Sequence, residues 1–172
     1  MKFSIHIFAA FFVVLAGSVS QSCKVSYSLT GVTINPEIKT VSIQYFDNRA
    51  PLVQPQLSQI FTDALRDKVQ GSTSLTLVTG YGDVDFAGEI KNYETRPQAI
   101  TGAETAALNR LTITVKVKFT NEIETDKSFD TSFSRYEEYD SSKDPSSVED
   151  ELIKLIVEQL MEDIFNKAFV NW

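Results

Sequence analysis

The chain has 172 residues, with 16 Lys and Arg against 23 Asp and Glu, one histidine and one cysteine, for a formal net charge of -7. That length suits a single domain with a sizeable core. An acidic balance without a basic cluster excludes a nucleic-acid surface, and a lone cysteine excludes an internal disulfide framework.

The N-terminus is the most apolar stretch. Met1 and Lys2 make a short positive start, and residues 5–16, IHIFAAFFVVLA, follow with one polar interruption. A bilayer-spanning helix needs about 20 predominantly apolar residues, so this run is too short to cross comfortably. A basic start, a short apolar region and then small residues predict a secretory signal peptide over residues 1–22. Its removal takes away Lys2 and the only histidine, His6. A mature chain without histidine has no Ser-His-Asp or Cys-His nucleophile and no metal site built on His and Cys ligands. No cofactor is expected.

An exported, unpaired thiol is open to oxidation and cross-linking, and acylating the sulfur removes that liability. Ser20-Gln21-Ser22-Cys23 resembles a bacterial lipobox, with Cys23 as the lipid-attachment residue and the first residue of the mature chain. Two or three acyl chains anchor stably where one gives only marginal binding. The alternative is an ordinary signal peptide followed by a free thiol. Residues 23–38 are read as the lipidated N-terminus and a tether or short edge strand, and residues 39–172 as a single domain.

Within the domain, KTVSIQYFDN (39–48) alternates Val41, Ile43 and Tyr45 against Ser42 and Gln44, which predicts a strand with one buried face. From Gln56 the spacing turns helical, with Leu57, Ile60, Phe61, Ala64, Leu65 and Val69 on one side, Pro55 at the start and Gly71 past the end. Residues 74–78 predict a short strand, and residues 83–93 a second one with Val84, Phe86 and Ile90 inward and Gly88 in register between them. The clearest strand is residues 109–121. There Leu111, Ile113, Val115, Val117 and Phe119 face one way, and Arg110, Thr112, Thr114, Lys116 and Lys118 the other. Residues 128–140 alternate Phe129, Thr131 and Phe133 and form its hairpin partner. Ser146 and Glu149 match a capping box opening a helix from Val148 to about Phe169, with Leu152, Ile153, Leu155, Ile156, Leu160, Met161, Ile164, Phe165, Ala168 and Phe169 as its apolar face.

Strand, helix, several strands and helix, in that order, predict an α+β two-layer sandwich: two helices on one face of a mixed sheet of four to five strands. The opposite face then carries the Thr/Lys/Arg stripe. Arg110, Lys116 and Lys118 are the candidate contacts for anionic groups such as lipid phosphates or a partner's acidic rim, against the plainer role of a solvated strand face. Asp83 and Asp85 lack further oxygen ligands at a binding-loop spacing and read as a solvated strand start. Gly80-Tyr81-Gly82 lacks the third glycine of a phosphate loop and reads as a turn. Glu137 and Glu138 read as an exposed strand end, and Phe165, Phe169 and Trp172 as core closure.

A lipoprotein of this size with KTVSIQYFDN, LSQIFTDALRDKV, LTLV followed by GDVDFAGEI, then NRLTITVKVKF and the closing DIFNKAFVNW resembles the lipopolysaccharide-assembly lipoprotein family LptE, nearest its forms outside the enterobacteria. The resemblance implies an outer-membrane lipoprotein facing the periplasm, with two helices on one side of a mixed four-stranded sheet. It also implies a plug and assembly partner of the large β-barrel LptD in lipopolysaccharide delivery, without catalytic residues. The alternative is a stand-alone envelope lipoprotein that binds lipid or carbohydrate.

Overall fold

The computed structural model describes residues 34–52, 54–98 and 107–170. The signal peptide, Cys23, residues 24–33 of the tether and Trp172 lie outside those described residues. In chain order the elements are β1 (Thr40–Ile43), β2 (Asp47–Asn48), α1 (Leu57–Ser72), β3 (Thr76–Leu77), β4 (Val84–Pro97), β5 (Leu108–Asn121), β6 (Phe129–Asp140) and α2 (Pro145–Phe169), with a 3-10 turn at Thr125–Lys127.

The sheet runs β3-β1-β4-β5-β6, with β2 alongside β4. β1 is parallel to both β3 and β4, while β4, β5 and β6 form an antiparallel meander. Among the described residues there are six strands rather than four or five, because the single strand expected over residues 39–48 is divided into β1 and the two-residue β2, while β3 falls within the short strand expected over residues 74–78. Both helices lie on one face. Phe61 of α1 packs on Phe46 with ring centroids 4.9 Å apart, and Phe169 of α2 packs edge-on to Phe86 and Phe119 at 5.9 and 5.8 Å. A Lys68–Glu162 ion pair joins the two helices. The architecture is the α+β two-layer sandwich.

β5 organises the core. Ile113, Val115 and Val117 are wholly buried beneath the helices, and Leu111 and Phe119 nearly so. Each side chain of this kind contributes about 1.5–3 kcal/mol by leaving water. The alternation expected for this strand holds from Leu111 to Phe119. Val84, Phe86 and Ile90 are likewise buried, and Gly88 sits where a side chain has no room.

Two irregularities shift the inward face elsewhere. Between Ile43 and Asp47 the chain takes four steps while β4 takes three, from Phe86 to Glu89. The extra residue puts Phe46 into the core and leaves Tyr45, expected to face inward, 51% exposed. In β4 a bulge between Ile90 and Asn92 makes Lys91 the extra residue and brings Tyr93 into the core.

The helix ends also differ from expectation. α1 continues through Gly71 to Ser72, and Thr73 closes it by donating its N–H and hydroxyl to Val69 O. α2 is capped by Asp144, whose carboxylate accepts from Ser146 N at 2.9 Å, with Pro145 in the first turn. Glu149 is therefore not half of a capping box; it accepts the Tyr93 hydroxyl instead. Leu155, expected on the buried face, is 41% exposed, and Val157 takes its place in the core. Ile38, at the end of the expected tether, is buried in the same core.

Candidate functional site

The even-numbered residues of β5 project from the face away from the helices. The ladder sets Arg110 between Arg96 and Glu138, Lys116 between Glu89 and Ser132, and Lys118 between Ala87 and Asp130. All three predicted cations therefore share one face but do not form one cluster. At a strand rise of about 3.4 Å, Arg110 lies roughly 20 Å along the strand from Lys116.

Their neighbours temper the charge. Arg110 donates to Glu138 through Nε at 3.0 Å, and its guanidinium carbon stands 3.9 Å from the centroid of the Tyr136 ring. Lys116 pairs with Asp130 at 3.1 Å. Between these ends, Thr114 and Ser134 share a hydroxyl hydrogen bond of 2.9 Å. Exposed pairs of this sort each contribute about 0–1 kcal/mol, so they shape the surface more than they stabilise it. Lys118 makes no ion pair among the described residues and is the most available cation of the three.

Lys116 and Lys118 border a hollow of about 300 Å³ floored by Ala87 and Gly88. Arg49, from the turn after β2, reaches the same hollow and pairs with Glu89 at 3.2 Å. Sequence reading missed Arg49, since nothing before the β2–β4 pairing is known places that residue beside β5. Three cations and the carboxylates of Asp47, Glu89 and Asp130 thus surround one depression. The missing side chain of Gly88 is on the other side of the sheet, in register with the buried Phe86 and Ile90. A Cβ there would meet Lys116 O at 2.1 Å and Phe46 Cε1 at 2.5 Å.

On the β1 side the same face is closed over by the turn before β4. Gly80, at φ +98°, bends the chain, and Gly82 lies against the β1 backbone with its N–H donating to Ser42 Oγ at 3.0 Å. Beneath it Asp85 is 8% exposed and accepts from the Ser42 hydroxyl and from Gln44 Nε2 at 2.8 Å. Asp83 Oδ2 accepts the N–H groups of Lys39 and Thr40, both at 2.8 Å. The Lys39 N–H first, and then the Thr40 hydroxyl and N–H, hold the Asp83 carboxyl below the usual range. Asp83 and Asp85 are thus structural acceptors that fix β1 to β4, not a solvated strand start. The residues 80–82 do form a turn, with Tyr81 at its exposed tip.

At the edge of the sheet Glu137 accepts from Gln159 of α2, on the helix side, while Glu138 holds Arg110 on the open side. Among the described residues, no group of His, Cys, Asp and Glu is placed to hold a metal ion, and no helix is long and apolar enough to cross a membrane. What the open face presents is hydroxyls, paired charges and a shallow charged hollow, an arrangement suited to binding.

Solved structures share this fold at low identity. A protein from Xanthomonas campestris matches with a TM-score of 0.51 and 15% identity, over 77% of this chain and 87% of its own. A homolog of the neuraminyllactose-binding hemagglutinin from Helicobacter pylori matches with a TM-score of 0.50 and 8% identity, over 81% and 87%. A minor lipoprotein from Acinetobacter baumannii gives a TM-score of 0.44 and 14% identity, over 74% and 90%. None of the curated proteins compared with the chain matches it. The lipopolysaccharide-assembly family LptE matches across residues 38–168, from the last residue of the tether to the last turn of α2. With that span covering every strand and nearly all of both helices, the chain belongs to the LptE family of lipopolysaccharide-assembly proteins.

Proposed function

We propose that this protein is an outer-membrane lipoprotein, acylated at Cys23 and facing the periplasm, that plugs and helps assemble an LptD-type β-barrel in lipopolysaccharide export. The observation that carries the reading is the LptE family match over residues 38–168. The role is non-enzymatic. The body supplies a rigid two-layer unit whose helices cover one face of the sheet and leave the polar face free for a partner.

On that face Lys116, Lys118 and Arg49 border the hollow and Arg110 stands at the far end. Cations so placed suit phosphorylated lipid or an acidic stretch of barrel wall. The nearby carboxylates keep the surface from binding anions indiscriminately, because a rival anion meets repulsion as well as attraction. Residues 24–33 link the body to the anchor, so the membrane is reached without a spanning segment.

Depletion of the protein in its own cells tests the role. The reading expects lipopolysaccharide to accumulate behind the outer membrane and the barrel to lose its native, heat-modifiable form. Mass spectrometry should find a diacylglyceryl-modified N-terminal Cys23. Unchanged surface lipopolysaccharide with a normally assembled barrel would remove the proposed role, and an unmodified Cys23 on a soluble periplasmic protein would remove the anchor.

A further inference from the structure

The β5–β6 ladder runs unbroken from the Leu108–Asp140 pair to the Phe119–Phe129 pair, and β6 is the last strand of the sheet among the described residues. Two hydrogen bonds fix which of its main-chain groups face outward. Gln98 N donates to Leu108 O at 2.8 Å and Ser141 N to Ala107 O at 3.0 Å. Even-numbered residues of β5 therefore bond to β4 and odd-numbered residues to β6, since direction alternates along an antiparallel strand. Odd residues of β5 pair with odd residues of β6. The N–H and C=O groups of Ser132, Ser134, Tyr136 and Glu138 consequently point away from the sheet.

Side chains along this edge are drawn back from it. On the helix side Arg135 makes a two-bond pair with Asp163 at 2.5 and 2.6 Å, and Glu137 is held by Gln159. On the polar side Tyr136 lies against Arg110, which also holds Glu138. A hollow of about 370 Å³ results, lined by Ser134, Arg135, Tyr136, Glu137, Glu138 and Gln159. Five consecutive strand residues in that lining put the main chain at its floor. Phe129–Asp140 contains no proline, glycine or lysine, and of the charges that could blunt this edge Arg135, Glu137 and Glu138 are each held by a partner within the chain.

We propose that this edge pairs with the same edge of a second copy of the chain, antiparallel about a two-fold axis at Tyr136. The strand is complementary to itself in one register, which charge selects. With Tyr136 opposite the partner's Tyr136, Arg135 stands opposite the partner's Glu137 and Glu137 opposite the partner's Arg135. Phe133 meets the partner's Tyr139. Sliding the strands by two residues one way opposes the two copies of Arg135, and the other way the two copies of Glu137. Like charges directly opposite destabilise a sheet, so the Tyr136-centred register wins. The proposal stands apart from the barrel reading and does not need it.

Cysteine cross-linking tests it in the full chain carrying Cys23→Ser, which leaves no native thiol. Directly opposed residues in a hydrogen-bonded pair sit about 5.5 Å apart at Cα, within disulfide reach. Tyr136→Cys should oxidise to a covalent dimer. Ser134→Cys mixed with Glu138→Cys should give the mixed dimer, while Ser132→Cys and Ser134→Cys alone should give none. In parallel, the unsubstituted full chain should sediment with a dimer fraction that rises with concentration. Ser134→Pro, which removes an outward N–H, should lower that fraction severalfold with an unchanged circular dichroism spectrum. A chain that stays monomeric at every concentration, or Tyr136→Cys protein that does not cross-link, overturns the proposal; residues 24–33 or a barrel strand covering the edge would give that result. Equal cross-linking at positions 132, 134 and 136 overturns it as well, because random collision explains it.

Discussion

Replacing Gly88 with alanine adds one methyl group at the place where β4, β5 and Phe46 meet. The new Cβ would lie 2.1 Å from Lys116 O and 2.5 Å from Phe46 Cε1, where ordinary contact begins at 3.4 Å. Phe46 is a side chain and can turn aside; the Lys116 carbonyl is part of the longest ladder in the sheet and cannot move alone. Relieving the first contact needs about 1.3 Å of separation between β4 and β5, well past what a close-packed interior absorbs. Overpacking of this kind costs typically 1–3 kcal/mol, and a backbone clash puts Gly88→Ala at or above about 3 kcal/mol. For a domain of this size that lowers the melting temperature by roughly 6–12 °C. The assay is thermal and urea unfolding of the mature chain, with Gly88→Ala/Phe46→Leu as the control. If the backbone contact dominates, the smaller side chain at 46 adds its own cavity cost and rescues nothing. A Gly88→Ala protein as stable as wild type, or one rescued by Phe46→Leu, would refute the reasoning.

Ile113→Asp should abolish folding and Thr114→Asp should be mild, because Ile113 is wholly buried and a buried unpaired carboxylate costs several kcal/mol; melting curves of the two variants decide it. Asp83 is held below its ordinary pKa of 3.8 by the Lys39 N–H and the Thr40 groups, so the unfolded chain binds its proton more readily than the folded one. That contribution to stability is present above about pH 4 and is lost as the pH falls through the folded value; Asp83→Asn should flatten the acid limb of the urea midpoint against pH. Changing Arg110, Lys116 and Lys118 together to glutamine removes their charge without setting new acids against Glu138 and Asp130. The triple variant should melt close to wild type yet bind lipopolysaccharide or the barrel weakly, while wild-type binding falls as salt rises; normal binding by the triple variant would return the stripe to a plain solvated face.

The parts legible in the sequence are those where one period runs unbroken. β5 alternates from Leu111 to Phe119 and α1 keeps its four-residue steps, so the β5 set and Leu57, Phe61, Leu65 and Val69 of α1 could be read directly. Ile60 and Ala64 are only partly buried, and Ser58 and Thr62 are buried instead. The misses have local physical causes. Tyr45 and Lys91 are extra residues beside β4 and within it, and a single inserted residue reverses every later side chain. Phe46 and Tyr93 entered the core for that reason. Asp144 won the cap over Ser146 because Pro145 fixes the first turn and leaves the residue before it to accept from Ser146 N. In the candidate site the cations were legible as a face of β5, but not their partners. Asp130 and Glu138 come from the neighbouring strand, and Arg49 arrives through a two-residue strand without a periodic signal.

The central claim is partnership with a barrel, and the most direct measurement is recovery of a tagged full chain from detergent-solubilised outer membranes, followed by mass identification of what comes with it. The account predicts a detergent-stable complex with one large outer-membrane β-barrel protein in near-equal amount. Recovery of the lipoprotein without any barrel, from membranes in which that barrel is abundant, would contradict it.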